Sequence, residues 1–256
     1  MTAEKKVTLQ MLTKLSPEPQ ALWRKPDGTV GHAPLVTAAY SEDFEHVPAV
    51  REQKNHRGKT WFAGRYWAAT GRKHVVYESW LERKRITLLD HDPDVVGLVG
   101  QPMWLCGRAG GKHWEHRPDL FVRHADGTAS VVEVKTERRA AEFRRSDRHA
   151  HIVAACEEVG WEYKVVTEPD PQTMANVAWL AGYRHDISDP HGTQDALVAA
   201  CTAPTPLVEL VEQVDDPLFA LPHLWRALWL HRLTVDLTQP IRSWTLVHPS
   251  PKETQR

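Results

Sequence analysis

The sequence predicts an α/β protein in which a mixed sheet is flanked by helices, followed by a small, mostly helical C-terminal domain. Three observations point there. A helix-period stretch near residue 80 precedes three strand-like runs, a long helix and one further alternating run. Asp126-Gly127 stands between two of those runs, as a hairpin turn does. Past "EPDPQT" at 168–173, whose two prolines mark a boundary, the pattern turns mainly helical.

Residues 1–76 read as a β-rich N-terminal extension, with turn residues and short runs such as "ALWRKPDGTVGHAPLVTAAY". In "YESWLERKRITLLDHD", Tyr77, Leu81, Lys84, Arg85 and Leu88 recur at helical steps and Pro93 stops the pattern, so a helix is expected over 78–90. "VVGLVGQPMWLC" at 95–106 is apolar and β-branched, and Pro102 implies an edge strand or a bulge. Residues 117–125 and 130–136 are expected to pair. Residues 137–160 read as one long helix closed by Gly160, and 161–168 alternate like a strand. The core is thus expected over 77–169 and a C-terminal domain over 170–256. That domain shows helical stretches near 173–183, 193–213 and 217–230, then short runs at 232–237 and 242–247. Helices followed by a hairpin suggest a winged-helix-like module. Residues 249–256 are expected to fray.

Composition excludes more than it assigns. The chain has 256 residues, 41% hydrophobic and 25% charged, ordinary for a globular protein. Its formal net charge of −1 rules out a global basic field, so DNA binding would need a local basic surface. The spacing of Cys106, Cys156 and Cys201 fits neither a disulfide framework nor a cysteine zinc site, and a reducing cytoplasm suits it best. The first residues lack the apolar core of a signal peptide. No run approaches the about 20 apolar residues that span a bilayer, so no membrane partner is expected.

Four residues can converge on one site: Glu82, Asp119, Glu133 and Lys135. Glu133 and Lys135 are two apart on a strand and share a face. A two-residue Asp126-Gly127 turn would put Asp119 and Glu133 on opposite faces. A three-residue loop of Ala125, Asp126 and Gly127, with Gly127 left-handed, pairs them. The second register also gathers Leu120, Val122, Val132 and Val134 on one apolar face, so burial favours it. Directly opposed Cβ atoms lie about 5 Å apart. Two carboxylates brought to roughly 4 Å repel by about 4 kcal/mol at an effective dielectric near 20. A divalent cation turns that cost into attraction, and oxygen-only ligands with open positions suit Mg²⁺, with Mn²⁺ as a substitute. Lys135 can orient or deprotonate a water beside it. The implied chemistry is metal-assisted phosphodiester hydrolysis. Taken singly, each residue has an ordinary role: a strand-face ion pair, a turn aspartate, a solvated helix position.

The arrangement resembles the PD-(D/E)xK nuclease superfamily, the restriction-endonuclease-like core of helix, three antiparallel strands, helix and strand. "PD" at 118–119 and "EVK" at 133–135 match its motif. A narrower resemblance covers roughly residues 55–250. "GRYWAAT…HVVYESWLERKRITLLDHDPDVVGLVGQP", "GWEYKVVTEPDPQTMANVAWLAGYRH" and "LTVDLTQPIRSWTLV" look like blocks of TnsA-like heteromeric transposase endonuclease subunits. That family's Ser-x-x-Glu falls on Ser79 and Glu82, its Pro-Asp on Pro118 and Asp119, and its x-V-K on Glu133 to Lys135. The best-known members carry Gln where Glu133 stands, and Glu133 restores the superfamily's common form. Glu78, four residues before Glu82, competes for the helix carboxylate role. Gln101 occupies a family-like "QP" position and is a candidate contact near the scissile phosphate.

The resemblance implies a Mg²⁺-dependent subunit that cuts one strand of double-stranded DNA at transposon ends. Its implied partners are a DDE-type transposase and an AAA-type ATPase regulator. Arg138, Arg139, Arg144, Arg145 and Arg148 crowd the helix after Lys135 and are expected to hold the DNA backbone. A second candidate surface interleaves Arg57, Lys59, Arg65 and Arg72 with Trp61, Tyr66 and Trp67, whose rings suit packing better than base stacking. Two other readings stand beside this one: a nuclease acting alone in restriction or repair, and a non-catalytic DNA- or protein-binding subunit.

Overall fold

Short hairpins open the chain, each closed where the sequence places turn residues. A computed structural model describes residues 18–50, 63–214 and 216–250. Arg57, Lys59, Trp61 and the expected frayed end beyond 250 lie outside the described residues. Strands β1 (Gln20–Arg24) and β2 (Val30–Pro34) pair antiparallel around Gly28, whose φ is +84°. Helix α1 (Leu35–Ser41) follows, and β3 (Gly64–Ala68) pairs with β4 (Lys73–Tyr77). Helix α2 (Trp80–His91) takes the place expected for it.

The stretch expected as one strand over 95–106 is two strands in two sheets. β5 (Val95–Gly100) ends at Gln101, whose φ is +52°, and β6 (Met103–Ala109) begins after Pro102. A left-handed residue followed by a proline without an N–H ends the ladder and turns the chain. β6 then forms a hairpin with β7 (Lys112–His116), a strand not anticipated from the sequence. After it come β8 (Leu120–His124) and β9 (Ala129–Val134). The helix expected over 137–160 is broken into α3 (Glu137–Arg144) and α4 (Asp147–Glu158). Ser146 caps the second, its hydroxyl accepting from the His149 amide at 3.3 Å, and Gly160 at φ +72° closes it before β10 (Trp161–Val166).

These strands make an antiparallel sheet in the order β2-β1-β6-β7 and a mixed sheet in the order β10-β9-β8-β5, in which only β10 and β9 run parallel. The chain is therefore α/β, with mixed and antiparallel sheets flanked by helices. Its core gathers Trp23, Phe44, Phe121 and Trp161 with Val131, Ile152 and Cys156. Phe44 meets Trp23, Phe121 and Trp161 at ring-centroid distances of 5.7, 5.9 and 5.5 Å.

The chain divides into two compact units, 1–86 with 94–168, and 87–93 with 169–256, so the division passes through α2. The second unit holds α5 (Pro171–Leu180), α6 (Thr193–Ala200), α7 (Leu207–Glu212) and α8 (Pro217–Trp229). The stretch expected to be helical over 193–213 is interrupted by β11 (Thr205–Pro206), because its prolines cannot continue a helix. β12 (Leu233–Thr234) pairs with β13 (Leu246–Pro249), which also pairs with β11. Arg226 is buried on α8 and donates to the carbonyls of Tyr183 and Arg184 and to Asp186, fixing the loop after α5.

Candidate active site

Strand register builds the site. β8 and β9 pair Leu120 with Val132, Phe121 with Val131 and Val122 with Ser130. The His124 amide donates to Thr128 O and the Gly127 amide to His124 O, leaving a loop of Ala125, Asp126 and Gly127, with Gly127 at φ +86°. This is the three-residue register expected from the sequence, and one step further sets Asp119 opposite Glu133. The reason differs in part from the one expected. Leu120, Val122, Val132 and Val134 are buried, but so are Phe121 and Val131 on the other face. Burial alone therefore does not choose the register. The left-handed glycine does.

On the other side of β8, β5 pairs Gly100 with Leu120, and the Gln101 amide donates to Asp119 O at 2.9 Å. Gln101, just past the end of β5, thus lies in a row with Asp119 and Glu133, of which the last two are directly opposed and share a face.

Asp119 is partly exposed, and its Oδ2 accepts from the Val134 amide at 2.8 Å. Burial, then the charges of Glu133 and Glu82, push its carboxyl well above the usual range. Glu133 is buried, yet it goes the other way. Desolvation opposes its charge, but the neighbouring His116 ring and Lys135 ammonium outweigh that and hold its carboxyl below the usual range. Of these two adjacent carboxyls, Glu133 is the one that gives up its proton more readily. Glu133 Oε1 pairs with Lys135 Nζ. Glu133 Oε2 lies 3.1 Å from His116 Nε2 but receives no aligned hydrogen bond. Lys135 is tied down at its backbone by the Val166 carbonyl, and its Nζ sits 5.0 Å above the Phe143 ring.

Glu82 is the third residue of α2, and its Ser-x-x-Glu acts locally as a capping box. The Glu82 amide donates to Ser79 Oγ, while the Glu82 carboxylate accepts from Ser79 Oγ and the Glu78 amide, each at 2.8 Å. Burial raises its carboxyl, and its charge reaches Asp119. Glu78 instead forms an ion pair with Arg117 at 3.1 Å. Of the two competing helix carboxylates, Glu82 is thus the one coupled to Asp119. Among the described residues, no group of three or more His, Cys, Asp or Glu is arranged to hold a metal ion. Both oxygens of Glu82 are engaged at its own helix start. Asp119 and Glu133 do fit a hard divalent cation. They offer oxygen donors only, Glu133 Oε2 is a buried oxygen without a hydrogen bond, and a cation would relieve the repulsion that raises Asp119.

Gln101 is 1% exposed, and both ends of its side-chain amide lack a hydrogen-bond partner. A buried unsatisfied amide on a left-handed non-glycine backbone costs stability twice, a combination that clusters at functional sites. Sequence reasoning missed His116. The one signal for it was the alternation in "KHWEH", which sends Trp114 and His116 to the buried side of β7 immediately before Pro118-Asp119. Arg138, Arg139 and Arg144 are exposed on α3, which starts two residues after Lys135, and Arg145 is exposed at its C-cap. Arg144 and Arg145 bend back to the carbonyls of Val165 and Ala141, whereas Arg148 is exposed on α4. In the second expected surface, Tyr66 is buried and Arg65 and Arg72 are exposed, which agrees with a packing role for that ring.

No helix among the described residues is long and apolar enough to cross a membrane. No protein-family model matches the chain, and no curated protein matches it.

Proposed function

We propose that this chain is a metal-dependent DNA endonuclease subunit of the TnsA-like kind, hydrolysing one strand at transposon ends. The observation that carries the proposal is the row Gln101–Asp119–Glu133, with Lys135 paired to Glu133. Two neighbouring carboxyls, shifted in opposite directions beside a lysine, form a constellation suited to binding or catalysis rather than to stability. The order α2, β5, β8, β9, α3–α4, β10 agrees with a PD-(D/E)xK core, into which the β6–β7 hairpin is inserted. In the C-terminal unit, α8 followed by the paired β12 and β13 agrees with a winged-helix-like module.

Asp119 and Glu133 would hold Mg²⁺ or Mn²⁺, with Glu82 joining once it releases its capping bonds. Such an ion supplies charge stabilisation at the phosphate and a more acidic water. Lys135, partly exposed beside Glu133, is placed to orient that water or take its proton. The arginines of α3 would hold the sugar–phosphate backbone without reading sequence. A DDE-type transposase cutting and joining the other strand, and an AAA-type ATPase regulator, are the partners this reading implies.

Strand-specific cutting of end-containing duplex, with Mg²⁺ and the partner transposase, tests it. Glu133→Ala and Lys135→Ala should each lower nicking at least about 10²-fold, and chelation should abolish it. Undiminished nicking by both variants would sink the proposal. A second reading, a non-catalytic DNA-binding subunit, is favoured by one observation: the Glu82 carboxylate is consumed by its helix cap. DNA retention without cutting in either metal would select that reading. Cutting without the transposase would select a nuclease acting alone.

A further inference from the structure

A second layer of side chains stands behind Glu133, and the hydrolytic reading does not use it. His116 closes β7, is 7% exposed, and brings Nε2 to 3.1 Å from Glu133 Oε2. Its ring is fixed on two sides. It stacks on Phe143, with centroids 6.2 Å apart and planes 26° apart, and meets Tyr163 edge-on at 6.0 Å. The Tyr163 hydroxyl lies 3.3 Å from the same Nε2. A carboxylate oxygen can only accept, so the tautomer with its proton on Nε2 is the one that can donate toward Glu133. Among the described residues no aligned hydrogen bond reaches Oε2, which keeps a lone pair unused. Phe143 serves both partners of Glu133, because Lys135 Nζ lies 5.0 Å above the same ring.

We propose that His116 is a positioning residue: it holds one oxygen of the Glu133 carboxylate while Lys135 holds the other, with Oε1 toward Lys135 and Oε2 toward the His116 ring and open to a divalent cation. This rests on the reading of Asp119 and Glu133 as metal-holding residues. A glutamate side chain rotates about three bonds, so its strand fixes where it starts and not where its oxygens end. Without a second attraction, both oxygens can swing onto the Lys135 ammonium. That swing would mask the lysine and turn Oε2 away from Asp119. His116 opposes it without saturating the oxygen. Partners of metal-holding carboxylates commonly change metal affinity or activity about 10–100-fold when removed. A histidine that merely fills space would be replaced by another ring at no such cost.

The test uses the full chain without DNA, Mn²⁺ binding followed by calorimetry and by electron paramagnetic resonance, and thermal melts of each variant. His116→Phe keeps the ring packing and removes the N–H. It should weaken Mn²⁺ about 10–100-fold while the melt stays close to wild type. His116→Gln, whose amide can donate, should restore affinity to near the wild-type value. Wild-type affinity in His116→Phe overturns the proposal, and so does a His116→Gln variant no better than His116→Phe. If His116→Phe does not fold, near wild-type affinity in His116→Gln supports the proposal and a loss of about 10-fold or more overturns it. A wild-type chain that binds no Mn²⁺ overturns the metal reading and this inference together. Normal wild-type binding with an unaffected His116→Phe overturns this inference alone.

Discussion

Gln101 shows how a single residue separates packing from function. A residue kept for packing would sit in a relaxed backbone region with its amide satisfied, and Gln101 does neither. Gln101→Gly removes the left-handed strain and the orphaned amide together. Stability in a urea melt should stay level or rise by up to about 1 kcal/mol, while nicking falls at least about 10-fold. A stability loss with full activity would mark the residue as structural. Asp119 makes a related prediction with a definite sign. Its folded-state carboxyl is raised above the unfolded value, so the folded chain holds the proton more tightly. Its charge therefore costs stability as pH rises from about 4 through the raised folded value. Without metal, Asp119→Asn should stabilise the chain by about 1 kcal/mol at pH 7, a gain that fades as pH falls toward about 4. Denaturant midpoints at the two pH values check this. Glu133 has the opposite sign, its contribution being lost as pH falls through its lowered folded value. At this scale the two carboxylates were legible from spacing and turn chemistry. His116 was not, because a histidine at a strand end carries no pattern of its own.

At the scale of elements, the β8–β9 hairpin decides whether the site exists. Gly127 has nothing within 4 Å of the position a Cβ would take, so a side chain there meets only backbone strain. Gly127→Ala should lower stability by about 1–2 kcal/mol without changing the denaturant slope, checked by equilibrium urea unfolding. A neutral substitution would show that the register is held by something other than this turn. The hairpin was readable because Asp126-Gly127 is a local signal. The break between β5 and β6 was less so: apolar residues continue on both sides of Gln101-Pro102, and periodicity cannot reveal that the chain changes sheets there. The break between α3 and α4 escaped for a similar reason. No glycine or proline interrupts 137–159, and the cap at Ser146 is visible only in its hydrogen bond.

At the scale of the whole molecule, a net charge of −1 means that DNA attraction has to come from a local surface. Exposed arginines on α3, close to Lys135 in sequence, are the surface to which the proposed function assigns that role. Replacing both Arg138 and Arg139 by Ala should weaken duplex binding without changing sequence preference. The slope of log affinity against log salt should become shallower by about 0.9 for each phosphate that is no longer neutralised. An unchanged slope in a salt titration would move the DNA surface elsewhere. The central claim, that Asp119 and Glu133 form one hydrolytic centre, is tested most directly by nicking of end-containing DNA with Mg²⁺ and the partner transposase, comparing wild type with Asp119→Ala. The account predicts single-strand cutting by wild type and a loss of at least about 10²-fold in the variant, with DNA binding retained. Equal cutting by both proteins would contradict it.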